Sequence, residues 1–173
     1  MKGGRSPDGA YEVRVSRGEG EPTDYALRFH ASGKADPLFT LGDMGGYLTY
    51  AAAIEGCPAL WHASSRIVAV SDQGTKHSRT LYMLAVSPEG TTLLNSPDYV
   101  QNALGRLGVT HVDRQCLSTP KRWDGDDLIV ELYLVANGFL TYTCEVVLTL
   151  HHEKLSAPRL SLKSVSPPKE TPD

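Results

Sequence analysis

The sequence predicts a mainly β protein built from three antiparallel hairpin units, with one or two short helices in the connectors. Three observations carry this. Apolar residues alternate with polar ones at spacing two, the mark of half-buried strands. Asn137-Gly138 separates two β-rich apolar runs, a strong short-range hairpin signal. The same order of turn, strand, polar loop and strand opens near Ser6, Trp61 and Arg122, and a period of roughly 55 to 60 residues points to a repeat architecture.

The first unit runs from the turn SPDG through AYEVRVS, the loop RGEGEPTD and YALRFH, with Tyr11, Val13 and Val15 alternating against Glu12 and Arg14. The second runs from WHASSR through IVAVS, the loop SDQGTKHSRT and LYMLAV to a turn at SPEG. The third runs from RWDGDD through LIVELYLVA and the Asn-Gly turn to LTYTCEVVLTL. Between the second and third, SPDYVQNALGRLG predicts a helix from Ser96 to Gly108. Ser96 serves as cap, Pro97 stands at the first helical position, and Val100, Ala103, Leu104 and Leu107 fall at helical spacing. GGYLTYAAAIEG, Gly45 to Gly56, fits helix and strand equally.

A chain of 173 residues is long enough for one domain with a real core. That domain is expected over residues 1–165. The tail 166–173 carries Pro167 and Pro168 among Ser, Lys and Glu, and is expected to fray. An apolar fraction of 40% and a charged fraction of 21% are ordinary for a globular protein. A net charge of -3 argues against a nucleic-acid footprint, which needs clustered Lys and Arg. No apolar run approaches the roughly 18 residues of a membrane span. Met1 to Ser6 leads almost directly into strand-like sequence, as a mature domain does after an export or lipid-anchor segment, so a periplasmic or secreted location is weighed ahead of the cytoplasm. Cys57, Cys116 and Cys144 lack C-x-x-C spacing and allow at most one disulfide.

The run W-H-A-S-S-R-I-V-A-V-S, followed by Gly74 and L-Y-M-L-A-V-S-P-E-G, resembles the TolB-type (WD-like) β-propeller repeat, whose blades open Trp-Ser-Pro-Asp-Gly. Ser6-Pro7-Asp8-Gly9 and W-D-G-D-D-L-I-V resemble two further blade openings. In the best unit Ala63-Ser64-Ser65 stands in place of Pro-Asp-Gly, and three units fall short of the four to eight blades of a closed propeller. The resemblance covers about half the chain. It implies blade-like hairpins in a small open or incomplete propeller-like arrangement, and a binding or scaffolding role with no particular reaction.

Candidate chemistry is sparse. His151-His152-Glu153 has ligand-type side chains for zinc, but in a strand His151 and Glu153 share one face while His152 points away. A third ligand would come from His30, His62, His77 or His111, at spacings that match no motif. Asp124-Gly-Asp126-Asp127 offers calcium-type carboxylates without the twelve-residue loop, and reads first as a turn. Cys116 with His111 lacks an orienting third group. There is no G-x-S-x-G and no P-loop, and Gly105-Arg-Leu-Gly108 matches a G-x-x-G loop only at a helix end. Hence no catalytic residue, metal or cofactor is assigned.

The leading expectation is a non-enzymatic binding module for a protein or peptide, using inter-strand loops. Its contact residues are Lys76, His77 and Arg79 in SDQGTKHSRT, and Arg114, Lys121 and Arg122 in the segment around DRQCLSTPKRW. Arg is a residue type enriched in interface hot spots. Alternatives are a metal-assisted hydrolase using His151, Glu153 and another His, and a structural fragment that completes a larger assembly through exposed strand edges.

Overall fold

A computed structural model describes residues 4–17, 25–44, 59–75, 77–136, 138, 140–152 and 158–171. The expectations for Gly45 to Gly56, Cys57, Lys76 and Glu153 lie outside these residues.

Alternation at spacing two produces the first sheet. Strands β1 (Tyr11–Arg17), β2 (Tyr25–Ala31) and β3 (Phe39–Met44) pair antiparallel in the order β1-β2-β3. Val13 stands opposite Phe29, and Phe29 opposite Phe39. Tyr11, Val13, Leu27 and Phe29 are thereby buried on one face.

The remaining strands form one mixed sheet of nine strands among the described residues. They are β4 (Ala59–Trp61), β5 (Ile67–Thr75), β6 (Ser78–Ser87), β7 (Gly90–Leu93), β8 (Cys116–Asp124), β9 (Asp127–Ala136), β10 (Leu140–His151), β11 (Arg159–Val165) and β12 (Lys169–Glu170). The main path runs β11-β10-β9-β8-β6-β5-β4, with β7 on β6 and β12 on β10. The contact of β6 with β8 is parallel and short, Ser78 opposite Cys116 and Arg79 opposite Leu117.

This sheet carries cores on both faces. Ile67, Ala69, Leu81 and Met83 join Leu128, Val130, Leu132, Leu134, Val146 and Leu148 on one side. Val68, Val70, Leu84 and Val86 meet the three-stranded sheet on the other. Strand β5 is therefore covered on both faces, which is why Ile67 to Val70 reads as an unbroken apolar run rather than an alternation. Burying a Leu or Val side chain contributes about 1.5–3 kcal/mol, so these two packed faces supply the main force for folding.

One helix among the described residues, α1 (Tyr99–Leu107), closes the larger core with Tyr99, Ala103 and Leu104. Its cap is Asp98, whose carboxylate accepts from the Gln101 N–H at 3.0 Å; the Ser96 cap and the first-position Pro97 read from sequence are displaced by two residues. Asp and Ser cap equally well, so the sequence alone does not decide between them. Gly108 ends the helix with φ 70°, where a left-handed residue is needed. No helix of the described residues is long and apolar enough to cross a membrane.

All three expected hairpins form: β1–β2, β5–β6 and β9–β10. Their arrangement differs from separate blades, since the second and third share one sheet through β8. SDQGTKHSRT is not the open loop expected from its polarity. Strand β5 continues to Thr75, which pairs with Ser78, and an irregularity between Asp72 and Thr75 absorbs one extra residue. Backbone pairing is indifferent to side-chain polarity, and Ser71 and Asp72 are buried. The Pro-rich segment also departs from the expected frayed tail, as far as Thr171. Ser166 N–H donates to Glu145 O and Thr171 N–H to Thr141 O, both at 2.8 Å, with Lys169 and Glu170 paired to Thr143 and Tyr142 between them. The free edge of β10 offers these backbone groups, and prolines are tolerated on such an edge.

Candidate functional site

The residues singled out from sequence do not meet at one place. His77 and Arg79 lie where β6 begins beside β8. The His77 carbonyl accepts from Cys116 N–H at 2.9 Å, and the Arg79 guanidinium donates to Thr119 Oγ1 at 3.2 Å, so both brace the parallel junction. Arg114 is exposed just before β8. Lys121 and Arg122 lie further along β8, roughly 16–20 Å from its start at about 3.3 Å per residue. There Lys121 pairs with Glu131 at 2.7 Å in a polar groove of about 440 Å³ shared with Arg122, Thr143, Glu145 and Lys169. An exposed pair of this kind contributes little, about 0–1 kcal/mol.

A different corner gathers more chemistry. Its first part is the turn between β4 and β5. His62 N–H donates to Ile67 O and Ser65 N–H to His62 O, both at 2.9 Å, repeating the frame in which Ser6 N–H donates to Tyr11 O and Gly9 N–H to Ser6 O at 2.9 Å. Ser65 adopts φ 60° where the first turn has Gly9 at φ 71°. The two turns touch, with Asp8 N–H donating to Ser65 Oγ at 3.0 Å. Hydrogen bonds from the Ser6 hydroxyl and then the Ala10 N–H hold the Asp8 carboxyl below its ordinary value.

The second part is the tight turn between β8 and β9, where Asp124 pairs with Asp127 and Gly125 takes φ 59°. Glycine first in a two-residue hairpin loop meets the positive φ demanded there. The Asp126 carbonyl accepts from Leu150 N–H at 2.9 Å, which fixes this turn against the end of β10. Strand β10 then delivers the two adjacent histidines to opposite sides. His151 Nε2 meets Ser161 Oγ at 2.7 Å, whereas His152 turns toward Asp126.

At this corner Asp126 Oδ1 lies 3.2 Å from His62 Nε2 and 3.0 Å from His152 Nε2. The two imidazole rings are 5.7 Å apart, and Trp123 packs edge-on against His62 at 4.9 Å. Trp123 is itself fixed by donating its indole N–H to Leu60 O at 3.2 Å. His62 is buried, 7% exposed, while Asp126 and His152 are exposed. His62 Nδ1 receives the Ser64 N–H at 3.2 Å and faces Ser64 Oγ at 2.9 Å.

Beside this cluster lies a cleft of about 620 Å³. Ile67, Ala85, Val86 and Pro158 give it apolar walls, and Arg66 and His152 border it. The Arg66 guanidinium stacks over the Tyr11 ring at 5.2 Å and donates to the Tyr11 hydroxyl. Thr91 also lines the cleft, and its buried Oγ1 has no hydrogen-bond partner among the described residues.

The other sequence candidates separate. His111 pairs with Asp113 at 3.2 Å, and burial pushes the Cys116 thiol up, away from the thiolate that a nucleophile requires. Asp126 turns to the histidines while Asp127 accepts from Lys163 Nζ at 2.6 Å, so the carboxylates of the Asp-Gly-Asp-Asp turn do not converge as a calcium site would need. His62 was among the possible metal partners in the sequence, but the structure joins it to His152 and Asp126 instead of His151. Strand alternation already placed His152 on the opposite face from His151; the sequence held no sign of which turn waits there.

Comparison with protein-family models, curated proteins and solved structures finds no match for this chain.

Proposed function

We propose that the protein is a non-enzymatic binding module that takes an apolar group with a hydrogen-bonding end, carried by a peptide or protein partner, into the cleft beside His152. The observation that carries this reading is the cleft itself. Its volume of about 620 Å³ falls in the range of roughly 300–1,000 Å³ typical of ligand sites, and such sites combine apolar walls with a few placed polar groups. Arg66 and His152 at its border supply the polar groups. The cleft is bordered by inter-strand turns, as expected for a module that binds through its loops. The shared frame of the turns at Ser6 and His62 is in keeping with the blade-opening resemblance and its scaffolding role.

A fluorescent apolar anion, 1-anilinonaphthalene-8-sulfonate, tests the cleft. Titration into the folded protein is expected to give saturable enhancement at one site, and Ala85→Trp, which fills the cleft, is expected to abolish it with unfolding still cooperative. Equal enhancement in both proteins would place the apolar site elsewhere.

A further inference from the structure

We propose that His62, Asp126 and His152 form a mononuclear site for a divalent transition-metal ion of the zinc class. The donors are two imidazole nitrogens and one carboxylate oxygen, and all three lie within 4.8 Å of one another. Imidazole favours zinc and its first-row neighbours over calcium or magnesium, which prefer all-oxygen shells. An ion held tetrahedrally at about 2.0–2.1 Å from each donor spaces those donors roughly 3.3 Å apart. Asp126 Oδ1 already stands 3.2 and 3.0 Å from the two Nε2 atoms. Rotation of the exposed His152 side chain closes the remaining edge.

The surroundings fit ligation as well as the donors do. A metal-bound imidazole characteristically donates its other ring N–H to a nearby acceptor, and Ser64 Oγ stands 2.9 Å from His62 Nδ1 for that purpose. Without metal, the Ser64 N–H donates to Nδ1 at 3.2 Å, which leaves the imidazole hydrogen on Nε2, facing Asp126 Oδ1 and the Gly125 carbonyl. Metal takes the place of that hydrogen, and the tautomer changes so that Nδ1–H points to Ser64 Oγ, while the N–H of the exposed Ser64 gives up Nδ1 and turns to solvent. The Trp123 ring walls one side of His62, and the Leu150 N–H anchors the turn that carries Asp126. Three protein ligands leave a further coordination position for water or another donor.

This proposal stands independently of what occupies the cleft. The test uses the full chain stripped with chelator and dialysed. Calorimetric titration with Zn²⁺ is expected to give one ion per chain. Co²⁺ is expected to produce visible absorption bands of a low-coordinate site and to quench tryptophan fluorescence through Trp123. His152→Ala and Asp126→Asn, both changes at exposed side chains, are each expected to weaken Zn²⁺ binding roughly tenfold or more, and to remove the rise in Tm that Zn²⁺ gives the unsubstituted chain. His151→Ala is expected to change neither. The proposal is overturned if no stoichiometric ion binds, if binding survives both substitutions, or if it is lost in His151→Ala.

Discussion

Ser65 holds a left-handed backbone, φ 60°, while buried at 3% exposure, and substitutions there separate two contributions that usually come mixed. The left-handed conformation costs a non-glycine residue about 1–2 kcal/mol. Against this, Ser65 Oγ accepts the Asp8 N–H at 3.0 Å and so ties the two turns together, a bond worth about 1 kcal/mol. Ser65→Ala keeps the strain and loses the bond, and should destabilise by about 1 kcal/mol. Ser65→Gly loses the same bond but relieves the strain, offset by about 0.4–1 kcal/mol for the freedom glycine gives the unfolded chain. The glycine variant should therefore lie within roughly 0.5 kcal/mol of the original and above the alanine variant. Urea unfolding with unchanged m-values measures this, and a gap of about 1 kcal/mol corresponds to roughly 2–4 °C in Tm for a chain of this size. An alanine variant as stable as the glycine variant would refute the assignment of strain to this turn.

Two further perturbations follow from local chemistry. Thr91→Val deletes the buried hydroxyl that lacks a partner among the described residues while keeping its branched shape, so stability measured by urea should hold or rise by about 1 kcal/mol; a clear loss would mean that the hydroxyl is satisfied. The Asp127 carboxyl is held below its ordinary value by hydrogen bonds from Lys163 and then from Thr149. A carboxyl with a lowered folded pKa contributes stability above its unfolded pKa, and this is lost as pH falls through that value toward the folded one. Tm should accordingly fall between about pH 5 and pH 3, less steeply in Asp127→Asn, and parallel profiles for the two proteins would contradict this.

The hairpins were legible because their signals are local. Alternation at Tyr11, Val13 and Val15 and the Asn137-Gly138 turn each report the backbone within a few residues. The stretch at Ser71 to Thr80 misled for the same reason: its polarity marks an exposed loop only if no neighbouring sheet covers it, and here Asp72 is buried within paired strand. The joining of the second and third hairpins rests on two residue pairs between β6 and β8, which leave no periodic trace. The corner site was harder still. His62, Asp126 and His152 match no ligand spacing, and they meet only because the β8–β9 turn is fixed against the end of β10. Basic residues such as Lys121 and Arg122 drew notice by type, yet type does not report that they lie along a strand, away from the cleft.

The central claim is that binding chemistry concentrates at the corner between the His62 turn and the β6–β7 hairpin rather than on the basic residues of β8. Amide chemical-shift mapping with the apolar anionic probe tests this most directly. Shifts confined to Ile67, Ala85, Val86, Thr91 and His152 are the predicted result. Shifts centred on Lys121, Arg122 and Lys169 would contradict it.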